Sequence, residues 1–351
     1  MSIINVLVVD DSAFMRQVLR NIINSQVDMK VIGIARDGID AIEKAKSLKP
    51  DVITLDIEMP RMNGSEALKV IMEEAPTKVL MVSSLTSRNA EITMKCLSYG
   101  AFDFIEKPSG KLNSSFEAVT KEFLEAIRNS VNVDINSLIP KKIKSDSYTA
   151  NNKGFHPKPS ISSPNKILLI ASSTGGPRSL EKIIPLLPAD IGCPGIVVQH
   201  MPAGFTKSLA ERLNKVSNLT VKEAVDGEPL KNNTIYIAPG DYHLGLQKVG
   251  TQVKLFLDSS QKINNVRPAA DFTFEMAADI YGRNIVCAVL TGMGKDGAQG
   301  ALKIKNMGGK VIAESKNTCV VYGMPKAVVD DGSADFILDN TEIADKIISL
   351  L

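Results

Sequence analysis

Two groups of side chains in this 351-residue chain have the types and spacing to do chemistry. The first is acidic. Asp10 and Asp11 follow the apolar run INVLVV (4–9), and Asp56 follows DVITL (51–55). Ser83 and Ser84 close a run that begins at Lys78, and Lys107 follows FDFIE. Crowded carboxylates repel unless a cation neutralises them, and Mg²⁺ favours one or two carboxylates plus water and phosphate oxygens. A lysine beside them supplies a point charge for phosphate. Strand-end acids often do no more than cap the next helix, and Asp11 before SAFMRQ could be such a cap. Capping does not account for Asp56 and Lys107 meeting at one edge.

The second group lies in ASSTGG (171–176), QHM (199–201) and LTGMGKDGA (290–298). A serine, His200 and Asp296 at the carboxyl ends of strands are the ingredients of an acyl-transfer triad. A hydroxyl is a weak nucleophile until a base takes its proton. His200 can be that base, and Asp296 can orient it and stabilise its charged form. Gly175 and Gly176 let main-chain N–H groups approach a developing oxyanion, and Pro177 suits the first turn of a helix whose dipole points the same way. The N–H of Met293 is a second candidate donor. One buried histidine alone is more often a core residue than a catalyst; the three residues together favour chemistry. On residue types alone, Ser172 and Ser173 both remain open as the nucleophile.

These residues need strands to carry them. Residues 1–128 alternate five short Val/Ile-rich runs with amphipathic stretches, the pattern of βαβ units and a parallel sheet covered on both faces. Residues 129–164 read as a flexible linker, rich in Lys, Ser, Asn and Pro with little to bury, and its His156 reads as exposed and without a catalytic role. Residues 165–351 form a second α/β domain, beginning with KILLIAS (166–172). Its stretch from Thr220 to Leu257 has strand after strand and no helical pattern, so an antiparallel excursion is expected there within a doubly wound fold.

Composition excludes several classes. A net charge of +2 gives no broad basic field, so nucleic acid is not implied. No run approaches the roughly 20 apolar residues of a membrane span. The start MSIINVLVVDDSAF lacks the basic region of a signal peptide and reads as a first strand. Cys96, Cys193, Cys287 and Cys319 show no metal-type spacing and read as reduced, buried thiols of a cytoplasmic protein. The second domain is neither short, basic nor helical, which argues against a DNA-binding output. The order Ser, His, Asp also differs from the Ser, Asp, His order of α/β-hydrolases.

Residues 1–128 resemble the receiver domain of two-component response regulators, on the pair Asp10–Asp11, the block DIEMPRMNG (56–64), the hydroxyl after the fourth strand and Lys107–Pro108. That resemblance implies a flavodoxin-like fold with Asp56 as phospho-acceptor. It implies Mg²⁺ held by Asp10, Asp11 and Asp56 with the carbonyl of Glu58, and Ser83, Phe104 and Lys107 as switch residues. Residues 166–351 resemble the chemotaxis protein-glutamate methylesterase and glutamine deamidase family, on STGGP, QHMP, IYIAPGDYHL, RPAADFTF and LTGMGKDGA. The family usually reads Gly-Ala-Ser-Thr-Gly-Gly where this chain reads Ala171-Ser172-Ser173-Thr174-Gly175-Gly176. The likeness implies a Rossmann-like domain with Ser173 as nucleophile, directly before Thr174–Gly175–Gly176, His200 as base and Asp296 as orienting acid. Thr174 and Met293 would supply the oxyanion hole, and His243 would be structural or at the cleft rim. Implied partners are the cytoplasmic helices of methyl-accepting chemotaxis receptors and a chemotaxis histidine kinase as phosphodonor. Ester hydrolysis of this kind would need no cofactor. The unphosphorylated receiver would cover the catalytic cleft, and phosphorylation would loosen it. The rival readings are a non-enzymatic phospho-switch and a hydrolase of the same design acting on another ester or amide.

Overall fold

The computed structural model describes residues 3–84, 87–107, 114–139 and 166–351. Most of the expected linker, with His156, lies outside the described residues.

The first domain runs β1 (Ile4–Val9), α1 (Ala13–Asn24), β2 (Met29–Ala35), α2 (Gly38–Leu48), β3 (Val52–Asp56), α3 (Gly64–Glu74), β4 (Lys78–Ser83), α4 (Ser87–Tyr99), β5 (Asp103–Glu106) and α5 (Ser114–Ser130). A short helix, α6 (Ile135–Leu138), follows. The five strands pair in parallel in the order β2-β1-β3-β4-β5. Val6, Leu7, Val8 and Val9 on β1 are all buried, as expected of a strand with helices on both faces of its sheet. Polar residues at the turns start the helices: Ser12 caps α1, Asp37 caps α2, and Asn63 with Glu66 forms a capping box on α3.

The second domain contains β6 (Ile167–Ser172), α7 (Gly176–Ile183), β7 (Gly195–Gln199), α8 (Phe205–Val216), β8 (Thr220–Glu223), β9 (Thr234–Ile237), β10 (His243–Val249) and β11 (Gln252–Asp258). It continues with α9 (Ala270–Tyr281), β12 (Ile285–Val289), α10 (Ala298–Asn306), β13 (Lys310–Glu314), α11 (Met324–Asp330), β14 (Phe336–Leu338) and α12 (Asn340–Leu350). Seven strands form a sheet in the order β14-β13-β12-β6-β7-β9-β8, parallel throughout. The chain builds outward from β6 in one direction and from β12 in the other. Their shared boundary is therefore the switch point where α/β sheets open a crevice.

The antiparallel excursion is narrower than the run of strand signals implies. Only β10 and β11 pair antiparallel, as a separate two-stranded ribbon. β8 and β9 join the main sheet in parallel, Thr220 opposite Thr234. Their connection needs no helix because it is laid along the ribbon: Gly227 N donates to Leu255 O at 2.9 Å and Leu230 N to Val253 O at 2.9 Å. The ribbon thus stands where a crossover helix would otherwise cover the sheet.

Candidate active site

The order β12-β6-β7 brings three strand ends side by side, Ala171 opposite Val289 and Ser172 opposite Gln199. The strand pleat separates the two serines. Ser172 is fully buried and its hydroxyl donates to Gln199 Oε1 at 2.7 Å. Ser173, one residue on, is partly exposed at the tip. The other end of the same glutamine holds the turn: Gln199 Nε2 donates to Ser173 O at 2.9 Å and to His200 O at 3.1 Å. Gly175 takes φ +78° at the N-cap of α7, so strand passes to helix within three residues; a side chain there would be strained. A Cβ on Gly176 would collide with Gln199 Oε1.

His200 Nε2 lies 2.7 Å from Asp296 Oδ2. Asp296 Oδ2 also accepts from Ala270 N at 2.5 Å, and its Oδ1 accepts from Asp271 N at 3.2 Å and Asn264 Nδ2 at 3.1 Å. Burial, the largest influence on Asp296, pushes its pKa up. The hydrogen bond and charge of His200 and the two main-chain amides outweigh it and hold the carboxyl below its ordinary range. The carboxyl is thus held as an anion beside the His200 ring. The main-chain N–H groups of Thr174 and Met293 have no hydrogen-bond partner among the described residues.

Several contributors were not legible in the sequence. Thr291 O accepts from Ser173 N at 3.0 Å, Thr291 Oγ1 donates to Thr174 O at 3.0 Å, and Thr291 N donates to the buried Glu314 at 2.9 Å. Their only signal was a polar residue at the end of an apolar run. His243 is not at the rim. It is buried, its Nδ1 accepts from Ala269 N at 3.2 Å, and its Nε2 therefore donates to Gln261 O at 3.0 Å.

In the receiver, Asp10, Asp11 and Asp56 each bring one oxygen to within 4.8 Å of the others. Lys107 Nζ lies 2.8 Å from Asp10 Oδ2 and 2.7 Å from Asp56 Oδ2. Burial, the largest influence, pushes Asp56 up to about 6; the Asp10 charge adds to this, and Lys107 opposes it. Burial pulls Lys107 down, but its two carboxylates more than offset that and leave it above its usual value. Three carboxylates facing one ammonium keep an excess of hard oxygen donors, which fits a small divalent cation. Glu58 N donates to Asp56 Oδ1 at 3.4 Å, and the buried Ser83 hydroxyl donates to Ser84 O at 3.1 Å.

Receiver side chains also reach the catalytic domain. Asp103 on β5 accepts the Thr174 hydroxyl, and the Asn129 amide of α5 touches Met293 Sδ. The Phe104 ring stacks on Phe205 of α8, centroids 4.6 Å apart and planes 13° apart. α4 packs against α7 and α8.

Known proteins sort the two halves in the same way. Residues 168–347 match the CheB methylesterase family and residues 6–117 the response regulator receiver domain. A protein-glutamate methylesterase/protein-glutamine glutaminase of Thermotoga maritima is 57% identical over 350 residues, covering 99% of each chain. One of Pyrococcus abyssi is 45% identical, covering 98% of this chain and 93% of its own. The crystal structure of the Thermotoga maritima CheB methylesterase catalytic domain is 59% identical, with a TM-score of 0.53, over 53% of this chain and 99% of that one. With both domains matched in order and the relatives aligned nearly end to end, the chain belongs to the CheB methylesterase family, with a response regulator receiver domain ahead of its catalytic domain.

Proposed function

We propose that this enzyme hydrolyses glutamyl γ-methyl esters, and deamidates glutamines, on the cytoplasmic helices of methyl-accepting chemotaxis receptors by a Ser173–His200–Asp296 mechanism. The observation that carries the reading is the 2.7 Å His200–Asp296 pair at the strand end beside Ser173. Because His200 Nε2 faces Asp296, Nδ1 is the nitrogen left to serve Ser173, the reverse of the usual assignment of the two nitrogens. Ser173 attacks the ester carbonyl as His200 takes its proton. The unpaired N–H groups of Thr174 and Met293 would receive the oxyanion, and such donors are worth roughly 3 kcal/mol each in other hydrolases. His200 gives the proton to the methoxy oxygen, or to the amide nitrogen of a glutamine, as its bond to the carbonyl carbon breaks and methanol or ammonia leaves; water, deprotonated in turn by His200, then attacks the acyl-enzyme and releases glutamate and the Ser173 hydroxyl.

A chemotaxis histidine kinase would phosphorylate Asp56. Asp10, Asp11 and Asp56, with the Glu58 carbonyl, would hold Mg²⁺, which when bound offsets the charge on the phosphoryl oxygens. Lys107, paired with Asp56, and Ser83 would follow the phosphoryl group, and Phe104, stacked on Phe205, would carry that change onward. Control of the cleft is supported by the receiver's contacts with Thr174 and Met293. The resulting feedback, in which kinase output lowers receptor methylation, amounts to adaptation in the cytoplasm. No helix among the described residues is long and apolar enough to cross a membrane.

The test is methanol release from methyl-labelled receptor membranes, with and without a small phosphodonor and Mg²⁺. Release that rises with phosphodonor is expected. No release from methylated receptors, with turnover of another ester, would redirect the substrate and keep the chemistry.

A further inference from the structure

α9 and α10 have no side-chain N-cap of their own; Ala269 and Gly297 stand at those positions. Each helix is capped by the other's leading segment. Asp296, just before α10, accepts the N–H groups of Ala270 and Asp271 at the start of α9. Asp271, in the first turn of α9, accepts Gly300 N of α10 at 2.9 Å. This exchange sets two carboxylates close together, and only one of them, Asp296, faces His200. One side chain donates to both carboxylates: Asn264 Nδ2 reaches Asp296 Oδ1 at 3.1 Å and Asp271 Oδ2 at 2.9 Å. Asn264 sits at φ +52°, a left-handed position that asparagine tolerates better than most residues.

We infer that Asn264 and Asp271 are positioning residues for the His200–Asp296 pair, with the Asn264 amide acting as the bridge that keeps Asp296 ionised and aimed beside a second acid. The inference rests on the triad reading above. One amide NH₂ has two protons, one for each carboxylate, so it satisfies both where a water or a hydroxyl would have to choose. Without it the two acids face each other, and the pair takes up a proton at higher pH. Other charged or titratable groups near Asp271 are Glu275 on α9 itself and Cys287 on β12; beside Asp296 stand His200 and, next to it in the chain, the exposed Lys295. Burial is the largest influence on Asp271 and, with the Asp296 charge, pushes it up to about 6, in keeping with a second acid held beside an ionised one.

The variants are Asn264→Gly, which keeps the left-handed backbone without strain, Asp271→Asn, and the two combined. Asn265→Gly, at the neighbouring φ of +65°, is the control. Each is made in the full chain with phosphodonor, its folded fraction is checked by thermal melting, and kcat and KM for methyl-labelled receptor membranes are followed against pH. Asn264→Gly should lower kcat about 10- to 100-fold, the range that misplacing a catalytic group costs, with KM changed less than about twofold. Its acid limb should move to higher pH. In the double variant the second charge is gone, so the acid limb should move back toward that of the unsubstituted enzyme. A merely structural role would lower the folded fraction and leave the limb where it is. An unmoved limb in Asn264→Gly, or no return in the double variant, overturns the inference. Should Asp271→Asn fail to fold, the limb of Asn264→Gly decides alone. Full activity in Ser173→Ala would instead remove the triad reading beneath it.

Discussion

At the scale of single residues, the two serines divide their work by the pleat of β6. Ser172 points inward and donates a hydrogen bond to Gln199 Oε1, and the Gln199 amide in turn holds the carbonyls of Ser173 and His200. Ser173→Ala should abolish methanol release, a loss of several orders of magnitude, as in other triads. Ser172→Ala should retain most activity but lose stability by about 1–3 kcal/mol, the cost of leaving Gln199 Oε1 buried without a donor. Methanol release and denaturant melts of both variants check this, and a dead Ser172→Ala enzyme with a live Ser173→Ala would reverse the assignment. That Ser173, His200 and Asp296 gather at one edge, and Asp10, Asp11, Asp56 and Lys107 at another, was legible because strand ends can be read from apolar runs. The choice of Ser173 over Ser172 as the proposed nucleophile rests on the family resemblance, because residue types cannot say which hydroxyl faces the core. Asn264, Asp271, Thr291 and Glu314 were not legible, because their importance lies in hydrogen bonds between segments far apart in sequence.

Elements position the site through close backbone approach. The turn after β12 runs against Ser173, so that a Cβ on Gly292 would sit 2.7 Å from Ser173 Cβ and 3.0 Å from Ser173 N. Neither atom belongs to a flexible side-chain end that could swing away. Gly292→Ala should therefore shift Ser173 off line and lower kcat on the order of a hundredfold, with a folded protein and little change in KM. Steady-state kinetics alongside a melt would test it, and unchanged kcat would mean that the two turns can separate at no cost. The same closeness explains where element-level reading stopped. Strand runs and their parallel pairing were clear from Val/Ile content, whereas the partner of each strand between Thr220 and Leu257 was not. β8 reaches β9 by a segment bonded to the β10–β11 ribbon, a tertiary arrangement with no local signature.

At the scale of the whole molecule, the receiver reaches the site at the two residues proposed to carry the oxyanion donors, through Asp103 on Thr174 and Asn129 on Met293. Docking places acids among protein atoms: burial, the largest influence, raises Asp103 to about 6, and it raises Glu106 and Glu122 as well. Carboxyls whose pKa is higher docked than free take up protons on docking. The docked state is then most favoured below the ordinary carboxylate range near 3.8, and it weakens as pH climbs through about 6. A catalytic fragment starting near Pro164 should be more active than the untreated whole chain, and the ratio of the two should be larger at pH 5 than at pH 7. The fragment carries the same catalytic residues as the whole chain, whichever they are, so the ratio cancels the pH dependence of the chemistry. Because the interface is partly open to solvent, the change in docking should be on the order of tenfold rather than the about hundredfold of an unscreened shift. Asp103→Asn in the whole chain should flatten the ratio against pH, and Asp56→Asn should leave the chain unresponsive to phosphodonor without altering the fragment. Side-by-side turnover of these samples across that pH range is the measurement. A fragment no faster than the untreated chain at any pH would mean that the receiver does not restrain the site and acts by bringing the enzyme to its receptor. A ratio that rises with pH would assign the restraint to contacts other than Asp103.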